Sequence, residues 1–494
     1  MELNGPVSLC ALLAAACAAA PSPPVVPQEP DSGPPPRPNI VLFLADDVGW
    51  NSVGYHSDLV DTPNIDRLVE EGVELDSFYV EPLCTPTRAA LLTGRYPIRY
   101  GLQFGVLRPW SPHGLDTGER LLSEVLRDAG YETAIVGKWH LGFSEEAFLP
   151  TRRGFEHQYG CFTGSVDYRR HERMHGVDWH RDDETIHERG HATALIGKEC
   201  IRLIEERDPA RPLFLYVPFT AAHGPLEPPR EWMRRYRKEF ADEDFAAYAA
   251  LIAHMDSVIG EVLEAIDREG MRENTLVLFL SDNGGQQEVG HIANQPLHGR
   301  KGDFYEGGVR VPAAARWPTR IPAGSKVEGL LHVVDLFPTL AGIAGADLEG
   351  NPALDGIDQW ETLSGKAPSP RTEMLLGINH VSGAVREGRW KLLSHHRREG
   401  RERIELYDIV ADPTESKDLA LDHPEVVAKL KARLDAYRSE SVPELALPTD
   451  GGQPEDFVAP EEWGPERAPK RPRGTRRGRG KKREAEAPAE HGRR

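Results

Sequence analysis

Cysteine is scarce in this sequence: there are five in 494 residues, and Cys10 and Cys17 fall inside an N-terminal apolar run. If that run is removed on export, only Cys84, Cys161 and Cys200 remain, too few for a fold built on disulfides. Cys200 shares a helical face with Ile196, Leu203 and Ile204, which reads as core packing, whereas Cys161 has no pattern to place it. Long apolar stretches are missing too. The N-terminal run, Val7 to Ala20, falls short of the roughly 20 residues that span a bilayer, and no later stretch reads as a membrane helix. General positive charge is absent. The net charge is −19, although Lys470 to Arg483 carries nine Lys/Arg and no acid. The body of the chain is therefore acidic, which argues against a nucleic-acid partner, and the Pro-, Gly- and Arg-rich tail reads as disordered.

What is present divides the chain into five parts. Residues 1–20 look like an export signal, with Ala18-Ala-Ala20 for cleavage. Leu13-Ala-Ala-Ala-Cys17 loosely matches a lipoprotein site, which would add a lipid anchor. Residues 21–38 form a proline-rich linker. Residues 39–368 alternate strand and helix patterns and constitute a large α/β domain. After Pro368 the texture changes to a smaller antiparallel α+β domain, residues 369–442, and residues 443–494 are the tail. In the smaller domain Ala384 to Leu393 reads as a hairpin turning at Glu387-Gly388, Ile404 to Ile409 as a half-exposed strand, and Pro424 to Tyr437 as a helix.

Four apolar runs of the large domain end in polar groups. Asn39 to Ala45 stops at Asp46-Asp47, Thr133 to Val136 at Gly137-Lys-Trp-His140, Leu213 to Val217 leads to Ala221-Ala-His223, and Thr275 to Leu280 stops at Ser281-Asp-Asn-Gly-Gly285. Runs this apolar suit strands buried on both faces of a parallel sheet. Ligands bind beyond the carboxyl ends of such strands, so Asp46, Asp47, Lys138, His140, His223, Asp282 and Asn283 are expected in one crevice. Helices are expected between them: Thr62 to Gly72, Glu119 to Ala129, and Phe245 to Arg268, whose apolar face carries Tyr248, Leu251 and Ile252. Asp46, Asp47, Asp282 and Asn283 offer oxygen alone, which points to Ca²⁺ ahead of Mg²⁺ and away from zinc. A lone Asp282-Asn-Gly-Gly is an ordinary turn. Its pairing with Asp46-Asp47 after a matching strand favours a metal site.

Between these runs lies Cys84-Thr-Pro-Thr-Arg88, followed by Leu91-Leu-Thr-Gly-Arg95. Pro86 suits the first turn of a helix and Gly94 its end. Cys84 would then sit where free backbone N–H groups favour negative charge, with Arg88 one turn on. A bare C-x-P-x-R is equally a buried cysteine opening a helix. The longer string resembles the signature of type I sulfatases, whose cysteine is oxidised to formylglycine. Gly137 to Gly142, Ala222-His-Gly-Pro225 and Gly299 to Arg310 resemble further motifs of that family, in family order. Leu149-Pro-Thr-Arg-Arg-Gly-Phe155, with Gly160, Gly164, Asp167-Tyr168 and His171-Glu-Arg173, is most similar to the arylsulfatase B group, the N-acetylgalactosamine-4-sulfatases.

The resemblance implies an alkaline phosphatase-like mixed sheet flanked by helices, with a small C-terminal domain. It implies sulfate-ester hydrolysis on a sulfated glycan, through a formylglycine made from Cys84 by a maturing enzyme and held, with Asp46, Asp47, Asp282 and Asn283, on the cation. Arg88, Lys138 and Lys301 would stabilise the sulfuryl charge, His140 would act as base, and His223 or Lys301 would protonate the departing alcohol. The leader suggests a bacterial exported form: periplasmic, outer-membrane lipoprotein or secreted. The rival reading is a phosphonate or phosphate ester hydrolase, because related enzymes share C-x-P-x-R and the metal set.

Overall fold

Alternate residues of the first buried strand face opposite cores, and this alternation sets the layering of the molecule. The structure, a computed structural model, describes residues 37–103, 105–379, 382–396, 402–445 and 453–465. The expected export signal, nearly all of the linker and the basic run lie outside them. The main sheet contains β1 (Asn39–Ala45), β2 (Val73–Leu75), β3 (Glu132–Val136), β4 (His157–Gly160), β5 (His180–Arg181), β6 (Glu184–Thr185), β7 (Leu213–Pro218), β8 (Thr275–Ser281), β9 (Ala313–Arg316) and β10 (Ser325–Val327). Their order is β10-β2-β9-β8-β1-β7-β3-β4-β5-β6. From β8 through β4 neighbours are parallel, and β9 and β5 turn antiparallel at either side.

Ile40, Leu42 and Leu44 join one core, beneath α2 (Cys84–Thr93), α3 (Leu122–Asp128) and α6 (Leu336–Ala344). Val41, Phe43 and Ala45 join the other, beneath α1 (Pro63–Glu70), α4 (Ala192–Glu206) and α5 (Glu243–Arg268). Each Leu, Ile or Phe so buried contributes roughly 1.5–3 kcal/mol, enough in sum to hold the acidic ends of β1 and β8 out of water. A second sheet of β11 (Glu373–Ile378), β12 (Ser382–Glu387), β13 (Trp390–His396) and β14 (Glu402–Asp408) is fully antiparallel and carries α7 (Pro424–Ser439). Leu375, Val385, Leu392, Leu406, Leu430 and Leu434 belong to the same core as Ile40 and Leu91, so this sheet shares apolar packing with the large one.

Three expectations differ from the structure. α3 starts at Leu122 rather than Glu119, because the Glu119 side chain pairs with Arg95 and its carbonyl accepts from Arg153, while Glu124 caps the Leu121 N–H. The hairpin loop is Gly388-Arg389, one residue beyond the expected pair. Glu387 still pairs with Trp390, and Gly388 takes the left-handed conformation at φ 55°. Part of the expected tail is packed: Leu445 donates its backbone N–H to Gly101 O, and Trp463 is buried against Phe143 and Phe457.

Candidate active site

Asp46 and Asp47 follow β1, and Asp282 and Asn283 follow its parallel neighbour β8; all four are fully buried. Asp47 sits at φ 62°, which turns its backbone N–H onto Asp282 Oδ1 at 3.2 Å. Asn283 Nδ2 donates to Asp47 Oδ1 at 2.7 Å. Asp46 Oδ1, Asp47 Oδ2 and Asn283 Oδ1 have no hydrogen-bond partner. Buried oxygens left in this state are costly, and a hard divalent cation is the ligand that fits three of them together. His223 adds to this group. Its Nδ1–H donates to Gly224 O at 2.7 Å, so in the neutral ring Nε2 is a lone pair, 3.9 Å from the unpartnered Asp47 Oδ2. Two acceptors facing each other across that gap call for positive charge between them. Ligand atoms of Asp46, Asp47 and His223 lie within 4.8 Å of one another, a nearby imidazole that the oxygen-only reading of the sequence lacked. Asp282 and Cys84 stand outside that group.

Three cations meet the three carboxylates. Arg88, on the turn after Cys84, places Nε and Nη2 3.1 and 2.8 Å from Asp282 Oδ2, and its Nη1 donates to Lys138 O. Lys138 Nζ lies 2.6 Å from Asp46 Oδ2, and Lys301 Nζ lies 2.6 Å from Asp47 Oδ1. Burial, with Asp282 beside it, pushes Asp46 up to about 7 against the pull of Lys138. Burial also opposes ionisation of Asp47, but the charge and hydrogen bond of Lys301, with the hydrogen bond from Asn283, hold it at about 2. With carboxylates and cations balanced, a divalent metal would leave the site positive and ready for an anion.

Cys84 opens α2 at the floor of a cleft of about 400 Å³, lined also by His140, His223 and Lys301. Its Sγ lies 3.3 Å from His140 Nδ1. His140 Nε2 faces Leu107 O at 3.0 Å, which fixes the proton there and leaves Nδ1 as the acceptor towards Cys84. Burial, with Lys138 and Arg88 nearby, holds His140 well below the usual imidazole range, so the ring is neutral. Burial pushes the Cys84 thiol up, although Lys138 and Lys301 pull the other way. A thiol held protonated is a poor nucleophile. The structure therefore brings together every side chain expected at the crevice.

Residues 38–346 match the Sulfatase family model, and residues 300–440 match that of the N-sulphoglucosamine sulphohydrolase C-terminal region. The chain belongs to the sulfatase family. It is 34% identical over 467 residues to arylsulfatase J of Mus musculus, covering 84% of this chain and 78% of that one. It is 34% identical over 361 residues to N-acetylgalactosamine-6-sulfatase of Canis lupus familiaris, covering 68% of this chain and 67% of that one. Among solved structures, Ps i-CgsB in complex with k-i-k-neocarrahexaose aligns with a TM-score of 0.76 at 29% identity, over 82% of this chain and 94% of that one. These likenesses carry the alkaline phosphatase-like fold and make this sulfatase a sulfuric ester hydrolase.

Several supports of the sulfatase site were not evident from sequence. Tyr248, expected as part of an apolar helix face, accepts from Gly49 N–H and donates to Asp47 O, both at 2.9 Å, which fixes the unusual Asp47 backbone. Thr85 braces His140 and Leu107 by donating to His140 O at 3.2 Å and accepting from Leu107 N–H at 3.3 Å. The loop that carries Lys301 is held through Glu306. This fully buried carboxylate bonds Tyr79 and, at 2.9 Å, Lys391 of β13, which pairs in turn with Glu415. A helical period shows which face is buried. It does not show that a tyrosine on that face ends at a backbone carbonyl.

Proposed function

We propose that this sulfatase hydrolyses the sulfate ester of an N-acetylgalactosamine-type glycan, with the 4-sulfated sugar preferred, through a formylglycine derived from Cys84 and a bound Ca²⁺. The observation that carries this reading is the pairing of Cys84 Sγ with the free Nδ1 of His140 beside buried, unpartnered metal-type oxygens. Asp46, Asp47, Asp282 and Asn283 would hold the cation, which supplies positive charge for the sulfuryl oxygens. The hydrated aldehyde supplies two hydroxyls on one carbon, one to attack sulfur and one to allow sulfate release by C–O cleavage, an exit that serine or cysteine lacks.

The remaining chemistry falls to the side chains. His140 Nδ1 takes the proton of the hydroxyl at position 84, with Nε2–H anchored on Leu107 O. Lys301 remains protonated because burial, which would discharge it, is outweighed by the summed negative charge around it, Asp47 foremost with Asp46 and Asp282, so its ammonium can bind the ester and give a proton to the departing sugar oxygen. His223, held neutral at about 3 by burial and then Lys301, would accept a hydrogen bond from that alcohol or relay its proton. Arg88 and Lys138 keep Asp282 and Asp46 oriented and add charge stabilisation, each such group worth roughly 10²–10³ in rate. Cys84 is 2% exposed, so its conversion requires a maturing enzyme that meets the chain before it closes. The apolar Val7 to Ala20 supports export as the route, with a lipid anchor at Cys17 as one form of it. Among the described residues no helix is long and apolar enough to cross a membrane.

The test is kcat/KM for matched sulfate and phosphate esters of one sugar, together with 4- and 6-sulfated N-acetylgalactosamine. The 4-sulfate is expected to be turned over fastest and the phosphate to act as a weak inhibitor, since the cationic pocket attracts both anions and only the reaction separates them. A higher kcat/KM for phosphate would replace this reading with the phosphohydrolase one.

A further inference from the structure

Two short segments, Glu172–Arg173 and Gly176–Val177, pair antiparallel in a small sheet of their own. Arg173 lines the cleft, and its Nη1 donates to Ser165 Oγ, on another lining residue, at 2.5 Å. Met174 and His175, between the two segments, sit at φ 51° and 71°. A hairpin turn with both central residues left-handed favours Asn-Gly, and this one is built without either. Two-residue arms joined by such a turn do not hold themselves in water, so the hairpin must be fixed from outside.

The C-terminal stretch 453–465 supplies that support. Glu461 O accepts the Val177 N–H and Val177 O accepts the Trp463 N–H, both at 2.9 Å, in a parallel bridge to one arm. Trp463 Nε1–H donates to Arg173 O on the other arm at 2.9 Å. A single residue thus bonds both arms. Its ring is 1% exposed and packs with Phe143, Leu149 and Phe162. The fit behind the turn is tight, since a Cβ at Gly176 would stand 2.2 Å from Pro460 O. Phe457 meets Trp110, which follows Pro109 of the cleft wall, edge to face at 5.6 Å. The reacting groups have separate anchors. His140 donates its backbone N–H to Phe162 O and faces Leu107 O, and Asp47 is held by Tyr248 and Asn283.

We propose that residues 453–465 are part of the substrate site, with Trp463 as a positioning residue that fixes Arg173 and Ser165 against the pyranose ring of the sulfated sugar. This rests on the sulfatase reading of the adjoining site. The C-terminal stretch then governs how the sugar is held, while Cys84, His140 and the carboxylates carry the ester chemistry without it. A sulfate ester that has no sugar should be indifferent to Trp463.

The test compares full-length wild type, Trp463→Phe and Trp463→Ala on two sulfate esters, 4-sulfated N-acetylgalactosamine and 4-nitrophenyl sulfate. Trp463→Phe keeps an aromatic ring in the small core and loses only the donor to Arg173 O. It should raise KM for the sugar ester about two- to tenfold, the size of one hydrogen bond, with kcat within about twofold. Trp463→Ala should raise that KM further, to about tenfold or more. In both variants kcat/KM for 4-nitrophenyl sulfate should stay within about threefold of wild type. An unchanged sugar KM in Trp463→Phe overturns the proposal whether or not Trp463→Ala folds, and so does a loss of equal size on the two esters, which is what a merely structural role would give. If the wild type turns over no sulfate ester, the sulfatase reading fails, and calorimetric affinity for the sulfated sugar, wild type against Trp463→Phe, decides the role of Trp463 by itself: weaker binding in the variant upholds it and equal binding overturns it.

Discussion

Replacing Asp47 by Asn tests the metal site at its most exacting point. Asp47 carries one of the three unpartnered oxygens and receives both Asn283 and Lys301 on the other. The substitution keeps the shape but removes the charge that a cation needs. In wild-type protein, a cation at 100 times its Kd stabilises the fold by about 2.7 kcal/mol. With an unfolding entropy near 2.1 cal/mol/K per residue, a 494-residue chain has roughly 1 kcal/mol/K, so chelator-stripped protein should gain about 3 °C in Tm when Ca²⁺ is restored. Mg²⁺, smaller and slower to shed water, should give less. Asp47→Asn should lose most of the shift and the activity with it. Scanning calorimetry on stripped, Ca²⁺-loaded and Mg²⁺-loaded samples reads all of this. An unchanged wild-type Tm with full turnover after stripping would refute the site, as would an equal Ca²⁺ shift in the variant.

Further outcomes follow from other buried groups. Mass spectrometry of active protein should find an aldehyde in place of the Cys84 thiol, and Cys84→Ala should abolish turnover with unchanged circular dichroism; full activity from an unmodified thiol would sink the mechanism. Glu81, 1% exposed with both carboxylate oxygens unpartnered, is pushed up to about 8 by burial and then Asp355. Because its folded pKa exceeds its unfolded one, the stability held by the neutral form is complete below about 4.5 and lost as pH rises to about 8. Glu81→Gln should therefore gain Tm relative to wild type at pH 8–9 and not at pH 4, and a pH-independent difference would contradict this. Lys391→Met leaves Glu306 and Glu415 buried without their shared cation, and urea unfolding should show a loss of about 3–5 kcal/mol; a loss under 1 kcal/mol would mean that the network does not hold the Lys301 loop.

The strands that deliver the site were legible because each is an unbroken apolar run ending in polar residues, a pattern that survives without tertiary context. β9 was not legible. Ala313–Arg316 is a short alanine-rich stretch whose strand character comes from pairing with β8 and β2, not from its own side chains. The side chains at the crevice could be named because they sit at strand ends or in spaced motifs. Their partners could not. That Arg88 spends its guanidinium on Asp282 and the Lys138 carbonyl, or that Trp463 returns to hold Arg173, depends on residues brought together only by the fold. The packed stretch near Trp463 was hidden by composition, because its few apolar residues stand among acids and prolines.

The burial of Cys84 imposes a timetable. Helix α2 can close over the thiol only when β1, β3, β7, β8 and the Lys301 loop are all present, and Lys301 leaves the ribosome more than 200 residues after Cys84. At about 5–20 residues per second, that leaves on the order of 10–40 s in which the cysteine is exposed on an incomplete chain. Under the proposed formylglycine chemistry, specific activity would then depend on how fast the chain is made and folded as well as on its sequence. Slower translation or delayed folding should raise the fraction of competent molecules, and rapid overproduction should yield well-folded protein that does nothing.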